Sequence, residues 1–195
     1  MKRIRTGALL AAGFMVASTA IHAGDLPAIG APFSHRDGEF VQNLCDDSLM
    51  VQRIGELANQ RSQNTRIKQV GLKIAEDYGK TKLQFAATAQ SMGTPITAVF
   101  SPRASRTVER LQSISSGMDF DRAALRELFK SQQSVLLKLE DESDSGNNPA
   151  LKQLAASTLP QLQNDIYQVS ILQSDASTAD VAAIGTAGRE LTSKH

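Results

Sequence analysis

Four polar side chains interrupt otherwise apolar stripes along this chain: Asp47, Tyr78, Gln132 and Asp165. Each falls near the middle of a long segment of helical periodicity, one per segment. Side by side, such segments would gather a phenol, an amide and two carboxylates into one internal layer. Buried polar groups are costly unless paired. The four can satisfy one another as a structural layer that fixes register, or they can receive a ligand or a metal.

The chemistry open to such a layer is narrow. A bundle-type di-iron centre draws carboxylates from two helices and Glu-x-x-His pairs from two others. No Glu-x-x-His occurs in the chain, and its three histidines are His22, His35 and His195. All three are expected outside the helical segments. Asp47 and Asp165 together are few ligands for a hard cation. No metal and no cofactor are therefore expected. There is no Gly-x-Ser-x-Gly elbow, no Gly-rich phosphate loop and no Cys–His pairing. Glu76-Asp77 is expected to have one solvated member and one near the bundle edge. Glu140, Asp141, Glu142 and Asp144 lack the Gly and terminal Glu of a calcium loop and read as a solvated helix end. Met50, Met92 and Met118 read as core filling. The single Cys45 allows no internal disulfide and is most simply a small buried hydrophobe; an intermolecular disulfide is the other reading.

The elements that must position these residues are helices. Tryptophan is absent and aromatic residues make up only 5% of the chain. Ala, Leu, Gln and Ser are abundant, which favours helix because unbranched side chains lose little rotamer freedom there. The spacing predicts a first helix from Asp37 to Arg61, with Phe40, Leu44, Val51, Ile54 and Ala58 inward. Asn64 caps a second, over 65–92. Its seam is Ile67, Val70, Ile74, Tyr78, Thr81, Phe85, Thr88 and Met92, in alternating steps of three and four. Gly93 and Pro95 stop it. Residues 93–118 form a connection in which Ser101-Pro102 opens a short helix to about Ser115. Asp119 is expected to cap a third long helix to about Glu142, with Leu125, Leu128, Phe129, Val135, Leu136 and Leu139 inward. Asn148-Pro149 opens the last, with Leu151, Ala155, Leu162, Val169 and Leu172 inward. Pro160 should kink or divide it. From 174 to 195 the chain reads as a flexible polar tail with at most a weak helix over 178–191. Four long helices with one long connection, about 26 residues, between the second and third point to an all-α four-helix bundle with a single crossover.

The N-terminus sets an expected compartment. Lys2, Arg3 and Arg5 precede an apolar run of about 14 residues from Gly7 to Ala20, and Ile21-His22-Ala23 follows. A positive start, a short apolar run and an Ala at the cut describe a secretory signal peptide over 1–23, cleaved after Ala23. The run is shorter than the roughly 20 residues a spanning helix needs. Residues 24–36 follow as an extended lead-in. Losing the three cations takes the formal net charge from +1 to −2. No basic footprint for nucleic acid remains.

Several stretches together carry a resemblance. They are Asp37-Gly38-Glu39-Phe40-Val41, Gly55-Glu56-Leu57-Ala58, Ile74-Ala75-Glu76-Asp77-Tyr78, Phe120-Asp121-Arg122-Ala123-Ala124-Leu125, Leu159-Pro160-Gln161-Leu162 and Asp165-Ile166. In order and spacing, over about 37–173, they resemble the exported bacterial family called domain of unknown function 4142. The resemblance implies a ferritin-like bundle. It also implies His at the positions of Tyr78, Gln132 and Asp165, and Glu near Val51; this chain departs at all of them. The expected protein is a periplasmic or secreted bundle that is non-enzymatic and acts by binding or in envelope maintenance or stress. Its partner would be an envelope protein or a small ligand, not nucleic acid, with no stable membrane span after cleavage. The alternatives are a ferritin-like metal-binding or oxidoreductase protein, and a secreted interaction module using the C-terminal tail.

Overall fold

A computed structural model describes the backbone of residues 33–192 and the side chains of 33–176. The expected signal peptide, residues 24–32 of the lead-in and the side chains of the expected tail beyond 176 lie outside those residues. Five helices are present: α1 (His35–Arg61), α2 (Thr65–Ser91), α3 (Pro102–Ser113), α4 (Met118–Ser145) and α5 (Pro149–Thr192). No strand occurs among the described residues. Each long helix spans about 40 Å or more at 1.5 Å per residue.

Local chemistry sets the helix ends. Ser34, not Asp37, caps α1: its hydroxyl accepts from the Asp37 amide while the Asp37 carboxylate accepts from the Ser34 backbone and hydroxyl. That reciprocal capping box starts the helix earlier than expected and puts His35 inside its first turn. Asn64 Oδ1 accepts from Arg66 and Ile67 at the start of α2. At its end, Gly93 adopts φ +82°, and the amides of Gly93 and Thr94 donate to Gln90 and Ala89. This is a Schellman stop, which uses the freedom of glycine in the left-handed region. Ser101 Oγ caps α3 through the Ala104 amide, and Asn148 caps α5.

Asp119 is not a cap. Gly117 precedes α4 with no side-chain bond, and Asp119 and Asp121 sit in the first turn, where carboxylates complement the helix dipole. The acidic run at 140–144, read as a solvated helix end, lies within α4, which continues to Ser145, and Glu142 in it is buried. Pro160 does not divide α5. Its missing amide would have served the Ala156 carbonyl, and both residues lie on the exposed side, where water can take over. The backbone stays helical to Thr192 across the segment read as a tail, where alanine is frequent and helix propensity correspondingly high.

Pairs across the bundle fix the direction of each helix. Arg36 at the start of α1 meets Asp141 at the end of α4, and Asn148 before α5 meets Met92 after α2. At the other end, Arg66 at the start of α2 meets Asp175 late in α5. So α1 and α5 run one way, α2 and α4 the other. The packed neighbours are α1–α2, α1–α4, α4–α5 and α2–α5, all antiparallel. Because α2 and α4 run the same way, 92–117 must travel the length of the bundle, and α3 lies against α1 and α4 as part of that path. Asp46 and Gln42 hold the extended part through Val99 and Thr97. Arg61 holds the far end: its guanidinium donates to the carbonyls of Leu111, Gln112 and Ile114 and stacks 4.7 Å from the centre of the Phe120 ring. A cation on the terminal carbonyls of α3 also suits the dipole.

The fold is the expected all-α ferritin-like four-helix bundle, with a short helix in the crossover between its second and third long helices. One apolar core joins all five helices, with Tyr78, Phe85, Phe120, Leu44 and Ile54 among its largest buried members. The α1–α2 contact is the closest. A Cβ on Gly55 would come 2.6 Å from the Gly71 carbonyl oxygen, and one on Gly71 2.8 Å from the Gly55 oxygen.

Candidate functional site

The mid-bundle layer forms with three of its four expected members. Tyr78 and Gln132 are 0% exposed and Asp165 is 1% exposed. They come from α2, α4 and α5, each placed inward by its heptad-like seam. On α5 the buried positions are Leu151, Ala155, Thr158, Leu162, Asp165, Val169 and Leu172. Alternating steps of four and three along that run leave Asp165 no direction but inward.

Asp47 is not in this layer. It sits on the α1–α4 side, 36% exposed, and takes 2.6 Å and 3.2 Å hydrogen bonds from Lys138 Nζ and Ser134 Oγ. Its stripe includes Leu44 and Val51, yet its carboxylate reaches solvent-side partners across the groove.

Lys73, which had no expected role, takes the place of a fourth member. Its Nζ lies 2.5 Å from Asp165 Oδ1 and 2.6 Å from Asp77 Oδ2. Its stem lies along the helix surface while the ammonium reaches in. The signal was available: Lys73 precedes Asp77 by one helical turn. Of the Glu76–Asp77 pair, Glu76 is exposed as expected, whereas the other member, expected near the bundle edge, is Asp77 and is buried.

The layer's electrostatics follow from burial. Burial raises the Asp165 carboxyl above its ordinary range, and the hydrogen bond and charge of Lys73 oppose that rise. Burial also holds the Tyr78 phenol well above its usual value, and the Asp165 charge adds to it. The Gln132 amide faces the phenol and pulls the other way, without reaching hydrogen-bond geometry. Lys73 is raised: its burial acts to lower it, but the two carboxylates together outweigh that effect.

Satisfaction of the layer is incomplete. Tyr78 Oη, both amide atoms of Gln132 and Asp165 Oδ2 have no hydrogen-bond partner among the described residues. Ser48 and Ser131, also mid-helix, each hold a buried hydroxyl in the same condition. Polar atoms of this kind are met by internal water in most folded proteins.

The residues do not fit the metal centre that a ferritin-like fold implies. No group of three or more His, Cys, Asp or Glu side chains converges among the described residues. Where a metal would meet Asp165, the chain puts its own ammonium. His35 is exposed at the start of α1, beside Glu39, at the far end of the bundle from any such layer. Cys45 is fully buried, its thiol donating to the Lys82 carbonyl at 3.5 Å. Burial, then the nearby Asp46 charge, pushes that thiol up to about 11, which keeps it protonated and unreactive.

A second feature escaped the sequence reading. At the bundle end where α2 and α4 begin, a cleft of about 170 Å³ opens between α2, α4 and α5, with Ile67, Met118 and Leu172 on its walls. Asp121 also lines it. That residue is 8% exposed, and its Oδ1 has no hydrogen-bond partner among the described residues.

Comparison with known proteins places this architecture. A search of curated proteins found no match. Among solved structures, the chain is similar to a fragment of domain of unknown function 305 from Deinococcus radiodurans. The TM-score is 0.66 at 18% identity, over 74% of this chain and 99% of that one. At that identity the likeness speaks for the fold. The model of the family described as domain of unknown function 4142 matches residues 25–172. That span contains all four bundle helices up to Leu172 and the whole of the buried layer, and the chain belongs to this family.

Proposed function

We propose that this protein is exported to the bacterial cell envelope and acts there by binding rather than by catalysis. The observation that carries the second half is the mid-bundle layer. Tyr78, Gln132 and Asp165 are closed off from solvent, and among the described residues the cation meeting Asp165 is the chain's own Lys73. A reacting group needs a substrate within hydrogen-bond reach, and this layer offers neither an opening nor a free charge. Its chemistry suits register-setting between α2, α4 and α5.

Export is supported by the positive start, the apolar run and the small residues ending at Ala23. No described helix is long and apolar enough to cross a membrane. A periplasmic location, with a role in envelope maintenance or stress, is the reading these features favour.

Metal analysis tests the proposal most directly. Protein recovered after expression of the full chain with iron, manganese and zinc supplied is expected to carry less than about 0.1 metal per chain, with its N-terminus at Gly24. One metal per chain, lost on Asp165→Ala substitution, would overturn it in favour of the metal-binding reading. Recovery from the cytoplasm with Lys2 retained would overturn the export half.

A further inference from the structure

The end cleft combines three properties that point to a ligand. Its volume, about 170 Å³, is that of a small organic molecule; an engineered apolar cavity of about 150 Å³ in another protein admits benzene. Its walls are apolar where Ile67 and Leu172 turn inward from α2 and α5, and Met118 forms part of the rim on α4. Its one buried acceptor, Asp121 Oδ1, is unpartnered. A carboxylate oxygen buried without a donor is costly, and an incoming donor recovers that cost.

The cations of the rim are engaged with other groups. Arg66 Nη1 is 2.7 Å from Asp175 Oδ2 across the mouth, and Arg122 lies 3.6 Å from Asp119. Neither gives Asp121 Oδ1 a hydrogen bond. The Arg66–Asp175 pair is exposed, so its strength is modest and side-chain rotation can widen the mouth.

We propose that this cleft binds a small organic cation: a primary ammonium head donating to Asp121 Oδ1, on a short apolar or aromatic body resting against Ile67, Leu172 and Met118. A charged donor suits the buried carboxylate better than a neutral one, because charge-assisted hydrogen bonds are roughly twice as strong. The walls supply the rest through burial of apolar surface. A body much larger than a single ring would not fit between α2 and α5. The proposal deepens the binding reading above, and names a site at the end of the bundle that is separate from the buried layer.

The experiment uses benzylamine as probe and benzyl alcohol as its neutral counterpart, with protein purified after expression of the full chain. Calorimetry or chemical-shift titration is expected to show benzylamine binding on the order of tenfold tighter than benzyl alcohol. Asp121→Asn should erase that preference, while Asp119→Asn, which removes the same charge from an exposed neighbour, should preserve it. Amide shifts in the wild-type protein should centre on Ile67, Met118, Asp121 and Leu172, a readout that stands even where Asp121→Asn folds poorly. No binding of benzylamine, equal affinity for the two probes, or shifts centred elsewhere would overturn the proposal. Such a result would leave the envelope-binding reading in place, because metal analysis and N-terminal sequencing judge that reading independently.

Discussion

The two faces of α2 are built on opposite principles. Toward α1 the helix is dry and close: Gly71 and Ala75 meet Gly55 and Ala58 with backbone almost on backbone. Toward α4 and α5 it carries Lys73, Asp77 and Tyr78 into a polar layer whose atoms are only partly paired. The first face gets its energy from contact, and any added atom is repelled by backbone that cannot move. The second holds charge balance with slack, so the sign of a substitution depends on which partner is left behind. One helix thus shows how packing sets distance while polar layers set register.

The largest effect should come from breaking the dry face. Gly55→Val must push Gly71 away, and a loss of about 4 kcal/mol or failure to fold is expected in urea denaturation. A loss under about 1 kcal/mol would mean that the α1–α2 contact is looser than its geometry. Next is Lys73→Met, which strands Asp165 and leaves Asp77 only the 3.6 Å pair with Lys80. Breaking a buried pair costs about 3–5 kcal/mol; Lys73 is about half exposed, so about 1–3 kcal/mol is expected here. Adding Asp165→Asn should restore part of it, and a double variant no better than the single would remove Lys73 from the layer's charge balance.

Smaller and opposite in sign is Gln132→Leu. It replaces two unpartnered polar atoms by hydrocarbon, and stability should stay level or rise by about 1 kcal/mol. A loss above about 2 kcal/mol would show that internal water or another group satisfies the amide.

The smallest expected effect is at Glu142, at the far end of α4. Burial first, then the charge of Asp37, raises its carboxyl above the ordinary range. A carboxyl that holds its proton more tightly when folded contributes stability at low pH, lost as pH rises through its folded value. Glu142→Gln should therefore raise the melting temperature by a degree or two at pH 7, and the gain should shrink below the ordinary carboxylate range. A pH-independent shift would point to packing instead of charge.

Local rules made much of this molecule legible in advance. Asn64, Ser101 and Asn148 are caps because their side chains reach the next free amides whatever lies beyond. The seams of α2 and α5 placed Tyr78 and Asp165 in the core because periodicity alone decides which face they share. Gln132 followed for the same reason. Asp47 shared a stripe with buried neighbours and yet lies at the edge, because the angle between α1 and α4 decides how wide the buried strip is. Lys73 had no expected role: its pairing with Asp77 one turn on is local, but nothing local says that it will also reach a carboxylate 92 positions away. Asp121 was quoted only as part of a family stretch; the cleft beside it exists because the starts of α2 and α4 leave a gap against α5.

By itself, then, the sequence determined the number of long helices, most of their ends and the inward placing of Tyr78, Gln132 and Asp165, because hydrogen bonds and periodicity within about one turn govern those features. The long connection already pointed to a crossover; only the tertiary structure decided which helices pack side by side, that Lys73 takes the place expected for Asp47, and that a cleft opens beside Asp121. Those depend on helix directions and separations, which arise from contacts between residues distant in the chain, such as Gly55 with Gly71 and Arg61 with the end of α3.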